Sequence, residues 1–151
     1  MTVAMTPDDD NGFLQAFRGR FHNVLRWEQL ERLWGVLRNN AQAGWYIYAV
    51  GEPPPREPAS DELFTTFLTE IDQLLRREHP EDYCGIVYAD SLDEPAFVKI
   101  FDPNNLGVSC GFSDNPPLPG WILSRLPPAD LQADMPLPGG RRRWWQRLLG
   151  S

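Results

Sequence analysis

Residues 83–111 contain the densest run of β-forming residues in the chain, and this stretch constrains the fold most strongly. Two apolar segments, 83–89 and 97–101, are separated by a polar segment whose length suits a hairpin connection. Alternation along the first segment predicts that Ile86 and Val87 face opposite sides of a strand. Because a short connection joins antiparallel neighbours, the sequence predicts an antiparallel sheet built on these two strands.

Two further strands are predicted outside this stretch. Residues 44–50 are apolar on both faces, which predicts a strand that is central in the sheet or covered on both sides. Residues 121–126 are short and run into Pro127 and Pro128, which favours an edge strand. Residues 108–112 are a candidate for one more pairing. Together these segments predict one antiparallel sheet of about four strands.

Three segments have the apolar spacing of helices. The strongest is 60–78, where Ser60 is a preferred N-cap, acids occupy the first turn and Pro80 follows the end. Residues 27–38 carry one apolar stripe. Residues 13–25 are predicted to form either one bent helix with 27–38 or a helical hairpin with it. The predicted fold class is α+β, a single domain in which the sheet packs against these three helices.

The sequence divides into four parts. Residues 1–11 are predicted to be a flexible N-terminus, 12–130 the α+β domain, 131–140 a linker rich in proline and glycine, and 141–151 a basic aromatic tail. A length of 151 residues suits one domain of common size. Because the tail shares no apolar pattern with the domain, we expect it to be flexible and the fold to survive its removal.

Charge is distributed unevenly along the chain. The formal net charge is −7, but the last eleven residues contain four arginines and no acid. The rest of the chain holds ten basic residues against 21 acids, a net charge of −11. An acidic domain repels nucleic-acid phosphates, so we do not expect nucleic acid among the partners.

The location expected from the sequence is the cytoplasm. The first residues show neither the basic nor the apolar segment of a secretory signal, and no apolar run is long enough to span a bilayer. Cys84 and Cys110 are the only cysteines, and in that compartment they are expected to be free thiols.

The tail is the sharpest candidate for a binding segment. In a helix its tryptophans and leucines are i, i+4 neighbours, which form an apolar face edged by arginine. So short a helix is marginal alone in water, so we expect it to become ordered on contact with a protein partner, an anionic membrane or its own domain. The candidate binding residues are Arg141, Arg142, Arg143, Trp144, Trp145, Arg147, Leu148 and Leu149.

The sequence therefore favours a non-enzymatic cytoplasmic accessory or adaptor protein, which binds a protein partner while the tail docks on a second surface. The glycine motifs of nucleotide-binding loops, the nucleophile elbow and the HExxH motif are all absent. Neither a cofactor nor a metal is predicted, because His79 and its acidic neighbours have the composition of a solvated corner. The oligomeric state stays open.

The alternative function is a small enzyme or ligand-binding domain. The chain's single lysine is a candidate amine nucleophile, and a cysteine among small residues is a candidate thiol nucleophile. The turn between them adds polar side chains. The alternative site residues are Lys99, Asp102, Asn104, Asn105 and Cys110. An enzyme requires these side chains to converge in one concave pocket.

Overall fold

The structure is a computed structural model. It describes the backbone of residues 6–105, 118–131 and 139–150, and the side chains of 12–104, 118–131 and 141–150. Within these ranges the chain forms four α-helices and five β-strands, with short 3-10 turns at Ala41–Ala43 and Pro103–Asn105. In chain order the elements are α1 (Thr6–Phe17), β1 (His22–Val24), α2 (Trp27–Asn39), β2 (Tyr46–Ala49), α3 (Asp61–Glu78), β3 (Val87–Ala89), β4 (Phe97–Ile100), β5 (Trp121–Ser124) and α4 (Gly139–Gly150).

The strands form one antiparallel sheet in the order β1-β3-β4-β5-β2. At its centre, Val98 of β4 is paired with Ala89 of β3 on one side and with Leu123 of β5 on the other. The predicted hairpin of β3 and β4 is confirmed. The helices pack on this sheet, and the α+β single domain predicted from the sequence is confirmed.

Both faces of the sheet are covered, because side chains alternate between the faces along each strand. Along β4, Phe97 and Lys99 contact residues of α1 or of the segment that follows it. Val98 and Ile100 face the opposite side, where they join a larger core shared with α2, α3 and α4. The buried residues of the smaller core are Phe13, Tyr48, Val50, Phe97 and Ile122.

Helix α3 confirms the strongest helix prediction. The hydroxyl oxygen of Ser60 accepts a hydrogen bond from the backbone N–H of Leu63 at 3.1 Å, which satisfies an otherwise unpaired donor of the first turn. The helix ends at Glu78, close to Pro80 as predicted. Its inward face supplies much of the larger core, through Phe64, Phe67, Leu68, Ile71, Leu74 and Leu75.

The helix predicted over 13–25 is wrong in its second half. Helix α1 ends at Phe17, and the chain continues into β1, which pairs with β3. Phe21 and Val24 explain the difference, because residues three apart face opposite sides of a strand. Phe21 packs against the smaller core and Val24 is buried in the larger one. Pairing across the sheet therefore buries Val24 fully and Phe21 partly, and neither a bent helix nor a helical hairpin forms.

The positions predicted for the remaining two strands have different outcomes. Strand β2, expected to be central or covered on both faces, lies at an edge of the sheet and is covered on both faces, so the second alternative is confirmed. Strand β5, predicted as an edge strand, lies between β4 and β2 and is buried along its whole length. Pro127 and Pro128 lie beyond the end of β5 and remove no backbone N–H from the strand itself. The strand can therefore pair with a neighbour on each side. The candidate strand 108–112 lies outside the described residues.

Gly85 interrupts the alternation predicted along 83–89. Its φ of 73° lies in the left-handed region that other residues rarely adopt, so the backbone turns before β3 begins. As a result Ile86 and Val87 both belong to the larger core, and they do not face opposite sides as predicted.

The two ends of the described chain are more ordered than the sequence suggests. Helix α1 already begins at Thr6, within the segment 1–11 that was expected to be flexible. The basic aromatic segment, expected to be a flexible tail, lies in α4 and packs against α3 and β5. The sequence left open whether this segment contacts a protein partner, an anionic membrane or its own domain, and the structure shows the contact with its own domain.

Candidate functional site

The candidate residues of the tail lie on two faces of α4. The inward face is buried against the domain, and its members are Arg141, Trp144, Trp145 and Leu148. The outward face is exposed, and its members are Arg142, Arg143, Arg147 and Leu149. The apolar face predicted for binding another surface is therefore largely occupied by the protein's own larger core.

The two tryptophans of α4 pack against aromatic residues from two other elements. The ring centroid of Trp144 lies 5.6 Å from that of Trp121 in β5 and 6.3 Å from that of Phe67 in α3. The ring of Trp145 lies 6.1 Å from Phe67 in an edge-to-face contact. Such geometries add to the free energy gained from burying the rings. This packing overcomes the low intrinsic stability of a short helix with arginines at its start.

Arg141 fixes the first turn of α4 to the domain through two carboxylates. Its Nε donates a hydrogen bond to Asp102 at 2.9 Å, and its Nη2 donates to the second oxygen of Asp102 at 3.0 Å. The same guanidinium donates to both carboxylate oxygens of Glu78. Asp102 is 7% exposed and Arg141 9%, so this ion pair is largely removed from water. Two forked pairs on one arginine define the position of the helix closely.

The network changes the protonation behaviour of Glu78. Hydrogen bonding to Arg141 holds the pKa of the Glu78 carboxyl below its ordinary value, and Asn104 adds a further hydrogen bond at 2.7 Å. The two carboxylates in turn raise the pKa of Arg141, which keeps the guanidinium charged. The arrangement links α3, the turn after β4 and α4, and it has the character of a structural clamp.

The stability supplied by Glu78 is expected to depend on pH. Because its pKa is lower in the folded state, the contribution is complete above the unfolded value of about 4.3 and is lost as the pH falls through the folded value. Urea unfolding of the native protein and of Glu78→Gln should differ clearly from pH 8 down to about 5 and converge in stronger acid. Glu94→Gln, at an exposed position, is the control and should match the native protein. A difference that stays constant with pH would exclude the ionised Glu78 as its source.

Among the described residues of the alternative site, Lys99 lies apart from Asp102 and Asn104. Lys99 lies on the α1 side of the sheet, where its Nζ is 4.1 Å from the ring centroid of Phe17 and 4.0 Å from that of Phe21. Burial there lowers the pKa of the lysine. Asp102 contacts Arg141 of α4, which packs on the opposite face. Asn104 accompanies Asp102, since its backbone N–H donates to that carboxylate at 2.9 Å.

The two remaining members of the alternative site cannot be placed, because Cys110 and the side chain of Asn105 lie outside the described residues. The other cysteine, Cys84, is fully buried, and burial raises the pKa of its thiol. A buried thiol of this kind is a poor nucleophile. Among the described residues, no group of three His, Cys, Asp or Glu side chains is placed to hold a metal ion.

A second surface feature, which the sequence did not reveal, is a row of planar groups at the carboxyl end of α3. The guanidinium of Arg76 lies 4.9 Å from the ring centroid of Trp27, and the ring of Trp27 lies 6.2 Å from that of His79. The ring of His79 in turn lies 5.9 Å from that of Tyr83, edge to face. We call Arg76, Trp27, His79 and Tyr83 the aromatic row.

Hydrogen bonds hold the rings of the aromatic row in place. The indole N–H of Trp27 donates to the carbonyl of Glu81 at 2.9 Å, and Nε2 of His79 lies 2.9 Å from the carbonyl of Cys84. The N–H of Cys84 donates to the carbonyl of Leu25 at 2.7 Å, which extends the pairing of β1 beyond the strand. This hydrogen bond brings together two chain segments that each carry an exposed apolar side chain, since Leu25 is 55% and Tyr83 54% exposed.

Exposed acidic residues adjoin the aromatic row along the chain. Glu28, Glu81 and Asp82 are exposed, lie within two residues of Trp27 or Tyr83 along the chain, and make no ion pair with another described residue. The sequence predicts a solvated charged corner at His79 and its acidic neighbours. Glu81 and Asp82 are exposed and fit that description, whereas Glu78 is half-buried and bound by Arg141. The sequence did not reveal the aromatic row, because Trp27 and His79 are far apart in the chain and meet only in the folded structure.

Comparisons of the chain with protein-family models, with curated proteins and with solved structures give no match. Among the helices of the described ranges, none is both long enough and apolar enough to cross a membrane.

Proposed function

We propose that the protein is a non-enzymatic cytoplasmic accessory or adaptor protein, which binds a protein partner through the aromatic row. The observation that supports this function best is a set of fixed aromatic rings that ends in an exposed tyrosine. Tyr83 exposes 54% of its surface, and the neighbouring Leu25 exposes 55%. Exposed apolar side chains that cluster beside aromatic rings are typical of interaction surfaces.

The residue types of the aromatic row and the fixed positions of its rings favour a protein as the partner. Tryptophan, tyrosine and arginine are the residues that contribute most often to the binding energy of protein interfaces. The ring of Trp27 and that of His79 are already hydrogen-bonded, so little conformational entropy is lost when a partner covers them. By contrast, the separation of Lys99 from Asp102 by the sheet argues against a single catalytic pocket built on the alternative site.

The second contact of the adaptor is proposed for the outward face of α4. The tryptophans of this helix pack inside the domain, so the contact relies on the exposed arginines, with Leu149 as the exposed apolar residue. A contact made mainly by exposed cations weakens as salt rises through the physiological range. This differs from the sequence-based expectation that the tryptophans insert into the second surface.

The partner surface is tested by affinity purification of the tagged full chain from the cells that produce it. We expect a partner retained by the native protein to be lost from Leu25→Ser with Tyr83→Ala, because these changes remove the two exposed apolar side chains. Both positions are exposed, so the melting temperature should change little.

The matched control is Leu126→Ser, which removes an exposed leucine from the chain after β5. This variant should retain the partner. If the native protein retains no specific partner, or if the double variant retains it as well as the control does, the aromatic row is not the binding surface.

A further inference from the structure

We infer that the partner segment received by the aromatic row is a basic peptide, rich in arginine or lysine. This inference rests on the proposed function and adds the chemistry of the partner. It follows from the charged residues near the row, because the acids among them are not all neutralised by neighbouring cations.

The cations near the row are largely engaged by other carboxylates. Arg76 donates hydrogen bonds to Glu31 at 3.1 Å and to Asp72 at 3.1 Å, so its charge is offset within the helices. Nη2 of Arg77 lies 3.5 Å from a carboxylate oxygen of Glu78. The guanidinium of Arg76 also covers one face of Trp27, which closes that end of the row to a second cation.

The acids around the row lack such partners. Glu28, Glu81 and Asp82 are exposed and form no ion pair with a described residue. Exposed Arg26 and Arg32 lie two and four residues from Glu28 in the chain. The arginine nearest to Glu81 and Asp82 in the chain is Arg77, which already pairs with Glu78. Glu81 and Asp82 directly precede Tyr83 in the chain. A partner that lies on the row therefore meets carboxylates at its edge, and a basic segment neutralises them where an acidic one is repelled.

Tyr83 provides the second element of recognition. Its ring contacts His79 edge to face, and 54% of its surface remains exposed. An arginine or lysine that reaches Glu81 or Asp82 can place its alkyl stem on Leu25 and its charge against an aromatic ring. Neutral proline-rich peptides also bind aromatic surfaces, but they gain nothing from the adjacent carboxylates.

The test uses a fluorescein-labelled nona-arginine peptide as the probe and fluorescence anisotropy at about 0.15 M salt. The variant Glu81→Lys with Asp82→Lys should weaken binding at least about tenfold, because two attractive charges become repulsive. The control Asp93→Lys with Glu94→Lys has the same net charge, and both of its positions are exposed in the connection at the other end of β3. It should weaken binding less than about threefold. Tyr83→Ala, made alone in the native protein, should weaken binding of the peptide by a factor of about two to five.

Equal losses for the two charge variants would overturn the inference, because the peptide would then respond only to the overall charge. A labelled proline-rich peptide that binds more tightly than nona-arginine would overturn it in favour of a neutral partner. The proposed function is judged separately. If Leu25→Ser with Tyr83→Ala loses the native partner while the Glu81 and Asp82 variant keeps it, the row is a binding surface but the basic partner is wrong.

Discussion

Replacing Trp144 by alanine should lower the free energy of unfolding by about 3–5 kcal/mol. The side chain is only 8% exposed and packs between Trp121 of β5 and Phe67 of α3. Its removal leaves a cavity between the helix and the sheet, and the loss corresponds to a fall in melting temperature of about 6–20 °C. Urea unfolding measures the free energy and thermal unfolding the melting temperature, and both are followed by far-ultraviolet circular dichroism so that neither depends on tryptophan fluorescence.

Leu149→Ala is the matched control, because it shortens an apolar side chain of the same helix at a position that is 50% exposed. Its effect should stay within about 0.5 kcal/mol. A chain that ends at residue 137 extends the test, since it lacks α4 entirely and should be destabilised at least as much as Trp144→Ala. Melting within a few degrees of the native protein, as the sequence alone suggests, would show that α4 is not a core element.

The elements with strong local signals were predictable from the sequence. In α3, the N-cap Ser60 and the closely following Pro80 mark the two ends, and the apolar face lies between them. The hairpin of β3 and β4 was similarly predictable from two short apolar segments and a polar connection. These signals act between residues that are near one another in the chain, so they need no knowledge of the tertiary structure.

The rest depends on contacts between distant residues. Phe21 and Val24 suit the spacing of a helix as well as a strand, and only the pairing of β1 with β3 distinguishes the two. The position of α4 follows from Arg141 meeting Glu78 and Asp102, which are 63 and 39 residues away. The aromatic row requires Trp27 to meet residues more than 50 positions later, as its hydrogen bond to residue 81 over a separation of 54 illustrates.

The sequence nonetheless contains the residues that make this outcome physically reasonable. The tail supplies cations and large apolar groups, and the domain supplies acids, so the charge separation read along the chain is partly neutralised within the fold. The same segment was expected to become ordered on contact with a surface, and in the structure it packs against α3 and β5. Its own domain provides that surface, and the arginines of the outward face remain exposed, although Arg142 also lies 3.4 Å from Glu52.

Arg141→Gln should reduce the free energy of unfolding by about 3–5 kcal/mol, because it removes one partner of a buried ion pair. Asp102, 7% exposed, would retain the backbone N–H of Asn104 but lose both hydrogen bonds from the guanidinium. Arg143→Gln is the control, since it makes the same substitution two positions along the helix at an exposed site. Its effect should stay within about 0.5 kcal/mol.

A double variant separates the ion pair from the packing of the helix. Asp102→Asn removes the charge that Arg141→Gln leaves buried, so the two changes together should destabilise the protein by less than the sum of the single changes. The expected coupling is about 1–3 kcal/mol, measured by urea unfolding of the four proteins of the cycle under one set of conditions. If the two effects simply add, the guanidinium and the Asp102 carboxylate do not depend on each other, and α4 is held to the domain by its tryptophans and by Glu78.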